Sequence, residues 1–101
     1  MFKQEKEPRM RCQVLAFSTE DCPACDIAKP IVKGLARKYG IIVKELDPTN
    51  EIELAQQYDV SVLPTFVLLN EDGERIESVE GMIDEKMAIS LLSLAHQGVV
   101  A

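Results

Sequence analysis

QVLAFSTEDCPACDIAKPIVKGLARKYG, residues 13–40, decides how the rest of the chain is read. It opens on QVLAFS (13–18), a short apolar run that suits a strand buried on both faces. Residues 22–39 read as a helix: Ile27, Ile31 and Leu35 recur at every fourth position, with Ala28, Val32 and Ala36 beside them, forming one wide apolar stripe. Pro23 falls where a first-turn proline is tolerated, because its missing N–H would have no partner there. Pro30 lies inside the helix and is expected to kink it, and Gly40 is a natural C-terminal stop. Between strand and helix stand Cys22 and Cys25, separated by Pro23 and Ala24. A C-x-x-C at a strand-to-helix junction reads as a redox pair before anything else.

Outward from this stretch, residues 41–46 (IIVKEL) form the next strand and residues 47–50 a turn. Asn50, with Glu53 three residues on, predicts a capping-box start to a short helix ending near Tyr58. Leu63–Pro64 breaks the chain, residues 65–69 are a third apolar strand, and NEDGE (70–74) is a turn with Gly73 placed to take positive φ. Residues 75–80 are a weaker strand, ended by Gly81. Asp84 caps a last helix in which Met87, Leu91, Leu94 and Ala95 line one face, with Ile83 just ahead and Gly98 the expected stop. The order β-α-β-α-β-β-α joins the first two strands through a helix, so they run parallel by a right-handed crossover, and the last two by a tight turn, so they form a hairpin. The expected fold is three-layer α/β, with a four-stranded mixed sheet and helices on both faces.

The 101 residues suffice for one domain. Residues 12–98 are expected to form it, after a flexible or short N-terminal segment (1–11) and before a tail (99–101). A hydrophobic share of 47% argues against disorder. The net charge of −6 argues against nucleic acid and anionic membrane as partners. No apolar run approaches the roughly 20 residues of a membrane span. MFKQEKEPRMRCQ at the start is too polar for a signal peptide, so a cytoplasmic location is expected. Three cysteines, an odd number without an export signal, argue against a structural disulfide framework.

Three landmarks together give a more specific reading: CPAC (22–25), Pro30 five residues after the second cysteine, and VLPT (62–65) opening the third strand before the hairpin turn and Gly81. In this order and spacing, the chain from about Gln13 to its end resembles the thioredoxin family. The resemblance implies a thiol–disulfide oxidoreductase that cycles between a Cys22–Cys25 disulfide and a dithiol. It implies that Pro64 is cis, packs against the disulfide and leaves the backbone of Leu63 free to pair with a substrate peptide. Pro23, Ala24, Leu63, Pro64 and Gly81 would then touch substrate. Implied partners are protein disulfides and an upstream dithiol or flavoprotein reductase, with the chain acting as a monomer.

The sequence also departs from the family. Only about ten residues precede the first strand, which leaves the family's extra N-terminal strand and helix missing or vestigial. The dipeptide is Pro-Ala, a proline-first order like that of glutaredoxins and some disulfide oxidants. The family's buried aspartate and its lysine partner align with Ala16 and Glu45.

The chemistry follows from where the residues sit. Cys22 at the helix start is near unpaired N–H groups and the positive dipole end, which favours its thiolate and makes it the nucleophile. Cys25, one turn inside, is the resolving thiol. Glu20, Asp21 and Asp26 oppose this by favouring the neutral thiol, but exposed charges act weakly through water. By the period of two, Glu45 shares a face with Ile41 and Val43. An inward carboxylate there would have a raised pKa and could replace the missing acid as a proton acceptor; the alternative is that it reaches solvent at the strand end.

Zinc would need four ligands, and beyond the pair only Cys12 and His96 are available, so no metal or bound cofactor is expected. Cys12 reads as an inert, partly buried small residue rather than a regulatory thiol, roughly 20 Å of strand away from Cys22 and too far for a disulfide. Two other functions stay open. One is a glutaredoxin-like, glutathione-dependent reductase, which the Pro-Ala order favours and the lack of a basic residue near Pro64 disfavours. The other is a thioredoxin-fold binding subunit without turnover, which the second cysteine disfavours.

Overall fold

The run at 13–18 becomes β1 (Gln13–Phe17), in which Val14, Leu15, Ala16 and Phe17 are all buried. A computed structural model describes residues 12–100. The expected N-terminal segment (1–11), any N-terminal strand or helix within it, and the last tail residue lie outside the described residues. After β1 come α1 (Pro23–Tyr39), β2 (Ile42–Leu46), α2 (Ile52–Gln57), β3 (Thr65–Leu69), β4 (Arg75–Glu80) and α3 (Glu85–Val100). The sheet order is β2-β1-β3-β4. β2 runs parallel to β1, β3 antiparallel to β1, and β4 antiparallel to β3. This is the three-layer α/β arrangement that the element order predicts, and it has the thioredoxin-like form that the resemblance implies.

Alternation along the strands divides the core in two. Val14, Ala16, Phe66 and Leu68 pack with Ala28, Val32 and Ala36 of α1 and with Ala88, Leu91 and Leu92 of α3. On the opposite face Leu15, Phe17, Val67 and Leu69 pack with Ala55 of α2. Phe17 and Phe66 are completely buried, each worth about 1.5–3 kcal/mol of transfer free energy. Gly40 ends α1 in the left-handed region at φ 69°, where a side chain would be strained. The β3–β4 turn is tied by the Asn70 Oδ1, which accepts from the amides of Asp72 and Glu74, and Gly73 takes φ 83°. Asp84 Oδ1 accepts from the Met87 amide at 2.8 Å, capping α3 as expected.

Four local expectations are corrected. Ile27, placed on the α1 stripe, is 55% exposed, because the buried arc runs through Cys25, Ala28, Val32, Leu35 and Ala36. On α3 the buried arc is Ala88, Leu91, Leu92 and Ala95, which leaves Met87 exposed. The capping box at Asn50 does not form: Glu51 occupies the N-cap without a side-chain bond, and Asp47 instead accepts from the Thr49 amide and hydroxyl. α3 continues through Gly98 to Val100, since a single helical glycine costs only about 1 kcal/mol.

These burials predict a contrast on truncation. Leu92→Ala should cost about 2–5 kcal/mol in denaturant unfolding, whereas Ile27→Ser should stay within about 0.5 kcal/mol of the parent.

Candidate active site: a disulfide at a helix N-terminus

Strand register decides which loops meet. Phe17 pairs with Leu46 and with Thr65, and Thr65 pairs with Glu80. The segments after β1, before β3 and after β4 therefore leave the sheet at one end, and these carry Cys22, Pro64 and Gly81. The Ser18 amide donates to the Leu46 carbonyl at 2.9 Å and holds the first of these segments as it departs.

Cys22 is the N-cap of α1, with extended backbone at φ −138° and ψ 94°. Its Sγ accepts a hydrogen bond from the Cys25 amide at 3.1 Å, one of the N–H groups that a helix start leaves without a backbone partner. Cys22 and Cys25 form a disulfide with Cα atoms 5.2 Å apart. Cys22 is partly exposed, whereas Cys25 is fully buried. Pro23 is exposed at the first helical position and Ala24 partly so. The helix end and the amide at Sγ both favour a thiolate on Cys22.

Facing this segment, the Leu63–Pro64 peptide is cis and Pro64 is buried. The Pro64 carbonyl accepts from the Gly81 amide at 2.7 Å, and the Thr65 hydroxyl donates to the Val62 carbonyl. Leu63 has no backbone hydrogen bond to any described residue. Gly81, at φ 80°, lies against Val62, whose Cγ1 is 4.0 Å from the place a Cβ would take. Pro23, Ala24, Leu63, Pro64 and Gly81 thus reach the same end of the sheet as the disulfide.

Val62, the first residue of the VLPT landmark, is 43% exposed at this end, and one apolar residue not singled out from the sequence, Met82, is 53% exposed next to Gly81. Its adjacency to Gly81 was the signal available.

Glu45 is a correction. It stands opposite Ala16 in the register, but its carboxylate turns outward and accepts from Lys29 Nζ at 3.2 Å and Lys33 Nζ at 2.8 Å. Hydrogen bonds from Lys33 and Lys29 hold its pKa below the ordinary 4.5. The face it shares with Val43 runs out past the apolar core, and two α1 lysines reach it there. A carboxylate so held is ionised at neutral pH and cannot serve as the raised-pKa acceptor considered for it.

Cys12 is a free, buried thiol at the other end of β1, and its Sγ lies 3.9 Å from the Ala95 carbonyl. Burial pushes its pKa up, and the negative charge of Glu71 adds to that. The side chain of His96 lies outside the described residues. Among the described residues no group of three or more His, Cys, Asp or Glu side chains could hold a metal ion.

The family description "Thioredoxin" matches residues 2–93. Thioredoxin-1 of Caenorhabditis elegans is 31% identical over 80 residues, covering 78% of this chain and 69% of that protein. Thioredoxin-1 of Drosophila melanogaster is 34% identical over 83 residues, covering 80% and 77%. Among solved structures, a mutant thioredoxin from Halobacterium salinarum superposes with a TM-score of 0.73 at 31% identity, covering 87% of this chain and 74% of that one. The germline-specific thioredoxin Deadhead of Drosophila melanogaster gives 0.74 at 32%, covering 83% and 80%.

Two expectations follow for the groups around the disulfide. Because the folded pKa of Glu45 is depressed, its contribution to stability is present above the unfolded value of 4.5 and is lost as pH falls through the folded value. Glu45→Gln should therefore flatten the acid limb of stability against pH, with a loss at neutral pH of about 0.2–1 kcal/mol for each of the two exposed pairs. Alkylation of the reduced, folded protein should modify Cys22 first and Cys12 last, and peptide mapping over a time course reads that order.

Proposed function

The chain belongs to the thioredoxin family, and we propose that it is a thiol–disulfide oxidoreductase acting on protein disulfides. One observation carries the reading: a partly exposed Cys22, its sulfur accepting from the Cys25 amide at a helix start, bonded to a Cys25 with no exposure. That asymmetry suits a nucleophile and a resolving thiol.

In the reduced protein the Cys22 thiolate attacks one sulfur of a substrate disulfide. A Cys22–substrate disulfide forms, and the other substrate sulfur leaves as a thiolate. Cys25, having lost its proton, then attacks Cys22. The Cys22–Cys25 disulfide forms and the second substrate sulfur is released. Two electrons have passed from the dithiol to the substrate, and an upstream dithiol or flavoprotein reductase returns them. The unpaired backbone of Leu63 beside Pro64 offers an extended substrate peptide one strand-like pairing. No further group is needed for the electrons, because the two sulfurs carry them.

Cys22→Ser should abolish reduction of a model protein disulfide in the presence of a dithiol. Cys25→Ser should retain the first step and accumulate mixed disulfides, visible by mass spectrometry. Faster alkylation of Cys25 than of Cys22 in the reduced protein would reverse the two roles.

A further inference from the structure

The end of the sheet that carries the disulfide is apolar at its centre and acidic at its rim. Pro23, Val62 and Met82 present exposed apolar surface beside Cys22 and Gly81. Glu20 and Asp21 directly precede Cys22, and Asp26 directly follows Cys25. Glu80 precedes Gly81, and Asp84 lies two residues beyond Met82. All five carboxylates are exposed. Glu20, Asp21, Asp26 and Glu80 form no ion pair with any described residue, and Asp84 only caps α3.

Most basic residues among those described are placed elsewhere. Lys29, one turn beyond Cys25, is held by Glu45, as is Lys33. Arg37 and Lys38 occupy the last turn of α1. Lys44 pairs mid-strand with Leu15, and Arg75 starts β4 at the far end of the sheet. Lys86 lines the groove between β4 and α3 with Glu77. Among the described residues, Lys29 and Lys33 share the one Glu45 carboxylate and leave a single positive charge, on the Glu20 side of the rim, so the five exposed carboxylates give the charge around the disulfide a negative excess. These carboxylates also work against the thiolate, so they do not serve the reactivity of Cys22.

We propose that this rim selects the substrate: a protein disulfide set in an apolar segment flanked by Lys or Arg side chains. The inference rests on the thiol–disulfide reading above and deepens it. Opposite charge at the edge of a small contact raises the encounter rate, and like charge at the same place repels. The apolar centre accepts the residues next to the scissile disulfide, and the carboxylates meet cations one or two residues further out. The exchange itself is unchanged: the Cys22–Cys25 dithiol is oxidised and the substrate disulfide is reduced by two electrons.

The test uses three synthetic peptides with one intramolecular disulfide, the same apolar centre, and flanks of Lys and Arg, of Ser, or of Glu. With the full chain and a dithiol, kcat/KM is measured at ionic strengths of about 0.01 M and about 1 M, where the Debye length is about 30 Å and about 3 Å. The expected result is a preference for the basic over the acidic peptide of about tenfold or more at low salt, falling to nearly none at high salt. In the combined variant Glu20→Gln, Asp21→Asn, Asp26→Asn, the low-salt preference should shrink several-fold. The ratio of two peptides within one protein cancels any change in the Cys22 pKa, so it reads selection and not nucleophile strength. Equal kcat/KM for the three peptides at low salt would overturn the proposal while leaving the oxidoreductase reading intact, and so would a preference the variant does not change. No turnover of any peptide, the Ser-flanked one included, would overturn both.

Discussion

Both the fold and the site depend on β1 being buried on two faces and ending where α1 begins. Val14 and Ala16 face one core, and Leu15 and Phe17 the other. β1 has β2 on one side and β3 on the other, so both the parallel and the antiparallel pairing are built on it. The chain leaving Phe17 can close the layer only by turning into a helix over the Val14–Ala16 face, and that turn holds Cys22. The amide of Cys25 is unpaired because it lies at the start of α1, and the Cys22 sulfur takes it. Moving β1 by one residue would exchange the two faces and carry the helix start away from the ends of β3 and β4.

The elements were legible in the sequence wherever a period and a stop signal agreed. The 13–18 run, the glycines at 40, 73 and 81, and Asp84 ahead of an apolar face all fell where the structure has strand, turns and cap. The phase of the helices was harder to read. Ile27 and Met87 are apolar and correctly spaced, yet small residues, Ala28 and Ala88, take the buried positions beside them. Close approach of α1 and α3 to the sheet favours Ala there, a packing constraint that a count of apolar residues does not contain. The capping box at Asn50 failed for a similar reason: Asp47 had already tied the turn through Thr49. At the site, the C-x-x-C was visible from its spacing, and the Leu63–Pro64 step from the resemblance to the thioredoxin family. The outcome at Glu45 was not, because it depends on two lysines sixteen and twelve residues away in the chain.

The same carboxylates act on the site in two opposed ways, and magnitudes decide between them. Glu20, Asp21 and Asp26 are exposed and act on the Cys22 sulfur through water, where even unit charges about 4 Å apart are worth only about 1 kcal/mol and physiological salt screens further. Against them stand a hydrogen bond from the Cys25 amide, worth about 1.5–3 kcal/mol to a charged acceptor, and the helix end, worth about 0.3–1 kcal/mol. The contact bond and the helix end outweigh the distant charges, which is the balance the proposed nucleophilic role of Cys22 requires. An acidic rim is therefore compatible with reactivity while it sets the sign of the field that an approaching chain meets first. That division of labour has a structural cause. The amide acts at contact distance, where water does not intervene, whereas the carboxylates act across solvent, where they weigh more on encounter than on the bond being made.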